Sequence, residues 1–188
     1  MRIVGGKFRG RAIRTPEGKT TRPTSDRTRE SIFNVLAHAD WAPSLEGARV
    51  IDAFAGSGAL GFEAISRGAA FCLFVETESS ARGCIRDNIE TFQLFGCTRI
   101  HRRSAVDLGP KPAGVGAPFD VVFMDPPYAY NLVPPALEQL VRGAWITADA
   151  LVIAETGAEE PAPETAGWTV LDERIYGAAR VRFLRQTV

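Results

Sequence analysis

Three glycines, at positions 56, 58 and 61, follow the apolar run Val50–Phe54 and lead into a helical stretch near residues 58–67. This order predicts a strand, a glycine-rich turn and a helix. Glycines let the main chain approach a ligand closely, and a helix N-terminus favours negatively charged groups. Glu76 ends the next apolar run, about 20 residues after Gly56, where a carboxylate can bind ribose hydroxyls. The pattern predicts an adenosyl ligand but does not by itself separate a nicotinamide cofactor from another adenosyl compound.

The second chemical pattern is the turn Asp125-Pro126-Pro127-Tyr128, which follows the apolar run Val121–Met124. Two prolines stop a strand, but termination requires neither an acid before them nor an aromatic residue after them. The exocyclic amine of a nucleobase is a poor nucleophile because its lone pair is delocalised into the ring. A carboxylate from Asp125 and the carbonyl of Pro126 would accept its two N–H bonds and localise that pair, while the ring of Tyr128 stacks on the base.

The elements that position these residues alternate along the chain. Continuous apolar runs are typical of strands that are covered on both faces, and here they alternate with helical stretches. The predicted strands are Val50–Phe54, Phe71–Val75, a weaker one at 98–103, Val121–Met124 and Leu151–Ala154; the predicted helices are 26–39, 58–67, 79–95 and 131–142. This alternation predicts a doubly wound α/β sheet, whose ligands bind at the carboxyl ends of the strands. Thr169–Tyr176 and Arg180–Leu184 are predicted to form a closing antiparallel hairpin around Gly177.

The charge of the chain is distributed unevenly. The 188 residues carry 22 basic and 22 acidic side chains, and 45% of them are hydrophobic, so an ordinary globular domain is expected rather than a disordered chain. Residues 1–30 contain nine basic and three acidic side chains, a net charge of +6, and the remainder carries −6. Glycines interrupt residues 2–14, which predicts an irregular β-hairpin arm. A basic arm on an acidic body favours a polyanionic partner, although a solvated surface strand would have the same composition.

Other residues limit the possible classes of protein. The three cysteines have no Cys-x-x-Cys spacing, and the two histidines have no ligand spacing to an acid or cysteine, which favours reduced thiols and no metal site. The chain has no long apolar run and no signal-like N-terminus, so we expect a cytoplasmic protein without a membrane anchor. Glu63 and Asp107 are expected at solvated helix or loop positions.

These motifs together resemble those of class I S-adenosylmethionine-dependent amino-methyltransferases. The segments Arg2-Ile-Val-Gly-Gly-Lys7-Phe-Arg9-Gly-Arg11 and Arg22-Pro-Thr-Ser-Asp26-Arg-Thr-Arg29 narrow the resemblance to the bacterial small-subunit (16S) rRNA guanine-N2 methyltransferase family. The resemblance covers nearly the whole chain. It implies a Rossmann-like class I methyltransferase fold: a seven-stranded, mostly parallel sheet with an antiparallel last strand, preceded by the N-terminal arm and helix. We expect the arm at residues 1–40 and the S-adenosylmethionine-binding domain at 41–188.

The resemblance also implies roles for individual residues. The methyl-transfer turn would be Asp125, Pro126, Pro127 and Tyr128; the S-adenosyl-L-methionine site would comprise Asp52, Phe54, Gly56, Gly58, Glu76, Ser104, Ala105 and Asp125; and RNA would contact Arg2, Lys7, Arg9, Arg11, Arg14, Arg22 and Thr24. Within the donor site, Asp52 and the glycines would line the methionine end, Glu76 the ribose, and the segment from Ser104 the adenine. The implied partner is small-subunit rRNA, either free or within an assembling ribosomal subunit, with no metal.

Three other functions are compatible with parts of the sequence. An amino-methyltransferase for adenine N6 or a protein amide would keep the donor loop and the Asp125–Tyr128 turn. A nicotinamide dehydrogenase would fit the glycines and Glu76, but 188 residues leave little room for a separate substrate domain. A non-catalytic rRNA-binding assembly factor would need the arm alone.

Overall fold

The computed structural model describes residues 1–18 and 25–188 and forms seven strands and four α-helices in this part of the chain. The helices are α1 (Asp26–His38), α2 (Ala59–Ser66), α3 (Ser79–Phe92) and α4 (Val133–Arg142). The strands are β1 (Arg49–Asp52), β2 (Phe71–Val75), β3 (Thr98–His101), β4 (Phe119–Met124), β5 (Ile146–Gly157), β6 (Trp168–Tyr176) and β7 (Ala179–Gln186). All strands belong to one sheet in the order β3-β2-β1-β4-β5-β7-β6.

The predicted doubly wound sheet is confirmed, because both faces of its central strands are covered. Consecutive residues of β1 point into different hydrophobic clusters: Val50 packs with α1, α2 and α3, whereas Ile51 packs with α4. Both side chains are fully buried. Burial on both faces explains why these strands are continuously apolar in the sequence.

The predicted closing hairpin is also confirmed. β7 pairs antiparallel with both β5 and β6, whereas β1 to β5 pair in parallel. Only Gly177 and Ala178 connect β6 to β7, and a turn this short requires antiparallel neighbours.

Helix α1 begins where the sequence predicts, one residue after Ser25. The Ser25 hydroxyl accepts a hydrogen bond from the Thr28 N–H at 3.0 Å and thereby caps the helix. Ile32, Phe33 and Leu36 are buried, as their helical spacing predicts. Residues 19–24, which precede this helix, lie outside the described residues.

The first segment of the chain, predicted as an irregular β-hairpin arm, folds back on itself without forming a regular strand. It contains a single antiparallel bridge between Arg2 and Ala12. Main-chain hydrogen bonds cross the pair from the Ile3 N–H to the Arg11 carbonyl at 3.0 Å and from the Ile13 N–H to the Met1 carbonyl at 2.9 Å. Lys7, at the turn, donates its N–H to the Ser66 carbonyl at 2.8 Å, so the segment is also bonded to α2. A Cβ on Gly6, where φ is +75°, would lie 1.9 Å from that carbonyl oxygen. The glycine is therefore required by close contact with α2.

All three cysteines are free thiols, in agreement with the sequence prediction. No helix among the described residues is long and apolar enough to cross a membrane.

Candidate active site

Three carboxylates lie at the carboxyl edge of the sheet. Asp52 is the last residue of β1, Glu76 follows β2, and Asp125 follows β4. β1 lies between β2 and β4, so the three strands are adjacent, and the strand order reverses between β1 and β4. Open α/β sheets bind ligands at such a reversal. The tertiary structure thus brings together the two motifs that the sequence separates by about 70 residues.

Asp52 is the most deeply buried of the three, with 1% of its surface exposed. Its Oδ2 accepts a hydrogen bond from the Gly61 N–H at 3.1 Å, whereas Oδ1 has no hydrogen-bond partner among the residues that the structure describes. Burial raises the pKa of the Asp52 carboxyl well above its usual value, the Gly61 N–H lowers it, and the charges of Asp125 and Glu76 raise it further. A cationic group placed in this crevice would therefore be stabilised by three nearby carboxylates.

Glu76 holds the glycine-rich turn. Its Oε2 accepts a hydrogen bond from the Gly56 N–H at 2.7 Å, and its Oε1 accepts one from the Glu78 N–H at 2.8 Å. The carboxylate expected to bind a ribose is therefore also the group that positions the loop.

The glycines of this turn have different roles. A Cβ on Gly56 would meet no atom of the described residues 1–18 and 25–188 within 4 Å, so space lies beside its main chain in this part of the structure. A Cβ on Gly58 would lie 2.7 Å from the Phe62 ring, and one on Gly61 would lie 2.4 Å from the Phe74 ring. Gly58 and Gly61 thus allow α2 to pack on β2, whereas Gly56 leaves room for a ligand.

The Asp125–Tyr128 turn leaves the sheet at the end of β4, as predicted. Pro126 is buried, Pro127 is exposed, and Asp125 and Tyr128 are partly buried. The Tyr128 hydroxyl donates a hydrogen bond to Glu155 Oε1 at 2.7 Å, which fixes the orientation of the ring.

Glu155 was not singled out from the sequence, although it shares a recognisable pattern with two predicted residues. Like Glu76 and Asp125, it is an acid directly after an apolar run, here Leu151–Ala154. It is 6% exposed and lies in β5, the neighbour of β4. Searching for an acid at the end of each predicted strand would have found it.

The remaining predicted donor residues occupy the same edge of the sheet or the loops beside it. Phe54 follows β1 and is partly buried against the hydrophobic cluster that contains Ile51 and the buried side chains of α4. Ala105, the fourth residue after the end of β3, is buried in that cluster. The Ser104 hydroxyl accepts a hydrogen bond from the Val106 N–H at 3.3 Å.

The basic residues predicted to bind RNA are exposed where the structure describes them. These are Arg2, Lys7, Arg9, Arg11 and Arg14, whereas Arg22 and Thr24 lie outside the described residues. The Arg11 guanidinium lies 4.6 Å from the centre of the Phe92 ring on α3 and donates to the Thr91 carbonyl at 3.0 Å. Arg14 pairs with Asp87 at 2.8 Å. The basic arm is thus attached to α3.

The expectation that Glu63 is solvated is wrong. Glu63 is completely buried on α2, and its carboxylate accepts hydrogen bonds from the Val4 and Gly5 N–H groups at 3.0 and 2.8 Å. It also pairs with Arg67 at 2.9 Å and with the buried Arg29 at 3.4 Å. The arm supplies the donors that make burial of this acid possible, and helix periodicity alone does not reveal them. Asp107 is exposed, as expected.

Two cavities lie on either side of Tyr128. One, of about 560 Å³, is lined by residues 126–129 and 131–134, by Thr156 and by residues 160–164 of the loop after β5. The other, of about 470 Å³, lies between the start of α1 and the β6–β7 turn. Tyr128 lines both of them. Their size is sufficient for a nucleobase or a small ligand.

Comparisons with known proteins agree with this geometry. A family model with the description "Conserved hypothetical protein 95" matches residues 1–185. The chain is 33% identical to ribosomal RNA small subunit methyltransferase D of Escherichia coli over 187 residues, which covers 99% of this chain and 90% of the relative. The enzyme of the same name from Haemophilus influenzae is also 33% identical, with 97% and 92% covered.

A solved structure of the yhhF protein from Escherichia coli superimposes with a TM-score of 0.85 at 32% identity. The match covers 100% of this chain and 98% of that one. The sheet order, the last antiparallel strand and these similarities establish a class I methyltransferase fold. The chain therefore belongs to the family of ribosomal RNA small subunit methyltransferase D, the family described as conserved hypothetical protein 95.

Proposed function

We propose that this protein transfers a methyl group from S-adenosylmethionine to the exocyclic N2 amine of an unpaired guanine in small-subunit rRNA. The observation that carries the proposal is the position of the Asp125–Tyr128 turn beside Asp52 and Glu76, at the reversal of the strand order. Family membership supports the rRNA substrate, because the curated relatives are named for it.

The crevice contains groups that fit an adenosyl donor. Asp52 has a buried, unpartnered Oδ1 that can accept a hydrogen bond from the amino group of the donor. The space beside Gly56 admits the methionine end, and Glu76 lies next to it for the ribose hydroxyls. Phe54, Gly58, Ser104 and Ala105 belong to this proposal as donor contacts. The donor supplies an electrophilic methyl group on a sulfonium.

The residues of the turn then act on the acceptor amine. Asp125 accepts one N–H of the amine and the Pro126 carbonyl accepts the other, which localises the nitrogen lone pair on the donor side of the crevice. The amine must lose one proton as its new N–C bond forms and the C–S bond of the sulfonium breaks to leave a thioether, and the Asp125 carboxylate is placed to take that proton. Tyr128, held by Glu155, stacks on the base. Pro127 fixes the turn because its φ is restricted.

The basic arm would bind the phosphates of the RNA. Arg2, Lys7, Arg9, Arg11 and Arg14 are exposed, and residues 1–16 contain no acid to oppose them. We include Arg22 and Thr24 as contacts from the sequence alone. Because the target amine must enter a crevice, the base has to be flipped out or already unpaired, which RNA loops permit. An rRNA substrate implies a cytoplasmic location.

Mapping of methylguanine tests the substrate. Small-subunit rRNA from cells lacking the protein should lose one N2-methylguanine, as detected by mass spectrometry of nuclease fragments, and the purified protein should restore it. Unmethylated RNA should be offered both free and in partly assembled subunits, since either form is compatible with the proposal. If the cells instead lose a methyladenine or a protein methylamide, that amine is the substrate of the protein and guanine N2 is not.

Substitution of Asp125 tests the chemistry. We expect Asp125→Asn to lower methyl transfer at least about a hundredfold, because one acceptor of the amine is replaced by a group that also donates. Binding of the donor by calorimetry shows whether the variant still forms its site. Asp149→Asn, at an exposed position of β5, is the control. Full transfer by Asp125→Asn would contradict the proposed role.

A further inference from the structure

We propose that the 560 Å³ cavity beside Tyr128 binds the base of a nucleotide next to the target guanine. This inference rests on the proposed function, since it assigns a second nucleotide to the same RNA. The cavity is lined by Pro126, Tyr128, Leu132, Glu160, Pro161 and Pro163, among others.

The cavity lies beside the proposed methyl-transfer turn, with Pro126, Pro127 and Tyr128 in its wall, but it does not reach Asp125. The amine to be methylated must reach Asp125, but neither Asp125 nor any residue of the glycine-rich turn lines this cavity. Tyr128 nevertheless forms part of its wall. A strand of RNA whose target base stacks on Tyr128 therefore brings an adjoining nucleotide to this cavity.

The charge of the cavity favours a base over a phosphate. Among the described residues that line it, the charged ones are Glu160 and Glu164, and none is a lysine or arginine. Carboxylates only accept hydrogen bonds, so they pair with the amino and imino groups of a base and repel a phosphate. The proline and tyrosine side chains supply the apolar surface on which a base can stack.

Glu160 is the side chain placed to contact that base. A Cβ on Gly157 would lie 3.0 Å from the Glu160 carboxyl carbon and 3.3 Å from the Tyr128 ring, so both side chains border the same small space. The Glu160 carboxylate has no hydrogen-bond or ion-pair partner among the described residues. It is thus available to a ligand at the edge of the ring.

The wall that carries Glu160 is held firmly by β7. Arg180 donates to the carbonyls of Ala158 and Glu160 at 3.0 and 2.7 Å, and Arg182 donates to the Pro163 carbonyl at 3.2 Å. The loop between β5 and β6 therefore has a defined shape before any ligand binds, which lowers the entropic cost of binding.

Abasic RNA tests the subsite. Fragments of small-subunit rRNA loops are screened by filter binding, and the fragment bound most tightly is remade with a single abasic site at each position in turn. We expect the wild-type protein to lose roughly fivefold or more in affinity when the base on one side of the target is removed, as for other stacked bases. Ala162→Trp should fill the cavity, weaken binding of the intact RNA and abolish this abasic penalty.

Glu160→Gln is the second variant, in case the tryptophan perturbs the loop. It should alter the preference for the four bases at that position, whereas Glu159→Gln, an exposed neighbour outside the cavity wall, should not. Either of two outcomes would contradict the subsite. In the first, removal of the base at no position next to the target lowers the affinity. In the second, Ala162→Trp still shows the full loss of affinity with abasic RNA and Glu160→Gln keeps the wild-type base preference. Failure of the proposed function would instead appear as absence of N2 methylation while the binding series still gives its result.

Discussion

The side-chain amide of Asn88 pairs with the main chain of Arg14 through two hydrogen bonds. Asn88 Oδ1 accepts from the Arg14 N–H at 2.9 Å, and Nδ2 donates to the Arg14 carbonyl at 3.0 Å. The same Nδ2 lies 3.5 Å from the Ser57 carbonyl in the glycine-rich turn. Asn88 is 2% exposed. One buried amide thus joins the basic arm to the glycine-rich turn.

Asn88→Ala should detach the end of the arm. The main-chain groups of Arg14 would lose their partners, and we expect the free energy of unfolding to fall by about 1–3 kcal/mol. Hydrogen exchange should accelerate at the amide of Arg14 and in the glycine-rich turn. Asn34→Ala, at an exposed position of α1, is the control. Unchanged exchange at Arg14 would show that the amide does not hold the arm.

Replacing single arginines of the arm by glutamine should show which of them contribute to RNA affinity and which also contribute to the stability of the fold. Arg9 has no side-chain hydrogen bond or ion pair within the described chain, so Arg9→Gln should weaken RNA binding without destabilising the fold. If Arg9 contacts one phosphate, the slope of log affinity against log salt should shrink by about 0.7–0.9. Filter binding at several salt concentrations measures this slope.

Two further variants complete this test. Arg11→Gln should lose stability as well as affinity, because Arg11 also packs on the Phe92 ring. Arg142→Gln, on α4 at the opposite face of the sheet, should change neither. An unchanged salt slope in Arg9→Gln would count against the arm as the phosphate contact.

Glu63→Gln should be strongly destabilising. The substitution leaves the buried guanidinium of Arg29 with only part of its charge compensation, and breaking a buried pair typically costs about 3–5 kcal/mol. Denaturant unfolding measures the loss. Glu30→Gln, an exposed acid on α1, should remain within about 0.5 kcal/mol of wild type. A comparably small effect at Glu63 would mean that the arm is held by other contacts.

Asp52 should make stability depend on pH. Because its folded-state pKa is raised, the folded protein retains a proton that the unfolded chain releases above pH 3.8. Its contribution to stability is complete below that pH and is lost as the pH rises through the folded-state pKa. Relative to Asp52→Asn, the wild-type protein should therefore lose about 1.4 kcal/mol for each unit by which the pKa is raised.

Unfolding measured between pH 4 and pH 8 for both proteins tests this sign. A constant difference across that range would show that Asp52 does not titrate as its burial implies. Donor affinity adds a second measurement, because a cationic amino group beside Asp52 would lower its pKa and make binding tighter as the pH rises. Asp52→Asn should weaken this dependence.

The sequence alone was sufficient to predict the strands of the sheet and the order of the chemical motifs along the chain. Continuous apolar runs such as Phe71–Val75 become strands because burial on both faces demands apolar side chains at every position. The glycine pattern and the Asp125–Tyr128 turn could be recognised as candidate sites because each motif consists of residues that are close together in the sequence. The sequence indicated that the N-terminal arm folds back on itself, but it did not show that the main chain of the arm also bonds to α2.

Only the tertiary structure decided which distant groups meet. The sequence does not show that Glu63 is buried beneath the arm, that Asn88 joins Arg14 to Ser57, or that Glu155 holds the Tyr128 ring. Nor does it separate Gly56, beside open space, from Gly58 and Gly61, which lie against aromatic rings. The physical reason is that a residue's type and its near neighbours specify its local conformation, whereas its partners and solvent exposure depend on how the helices and strands pack.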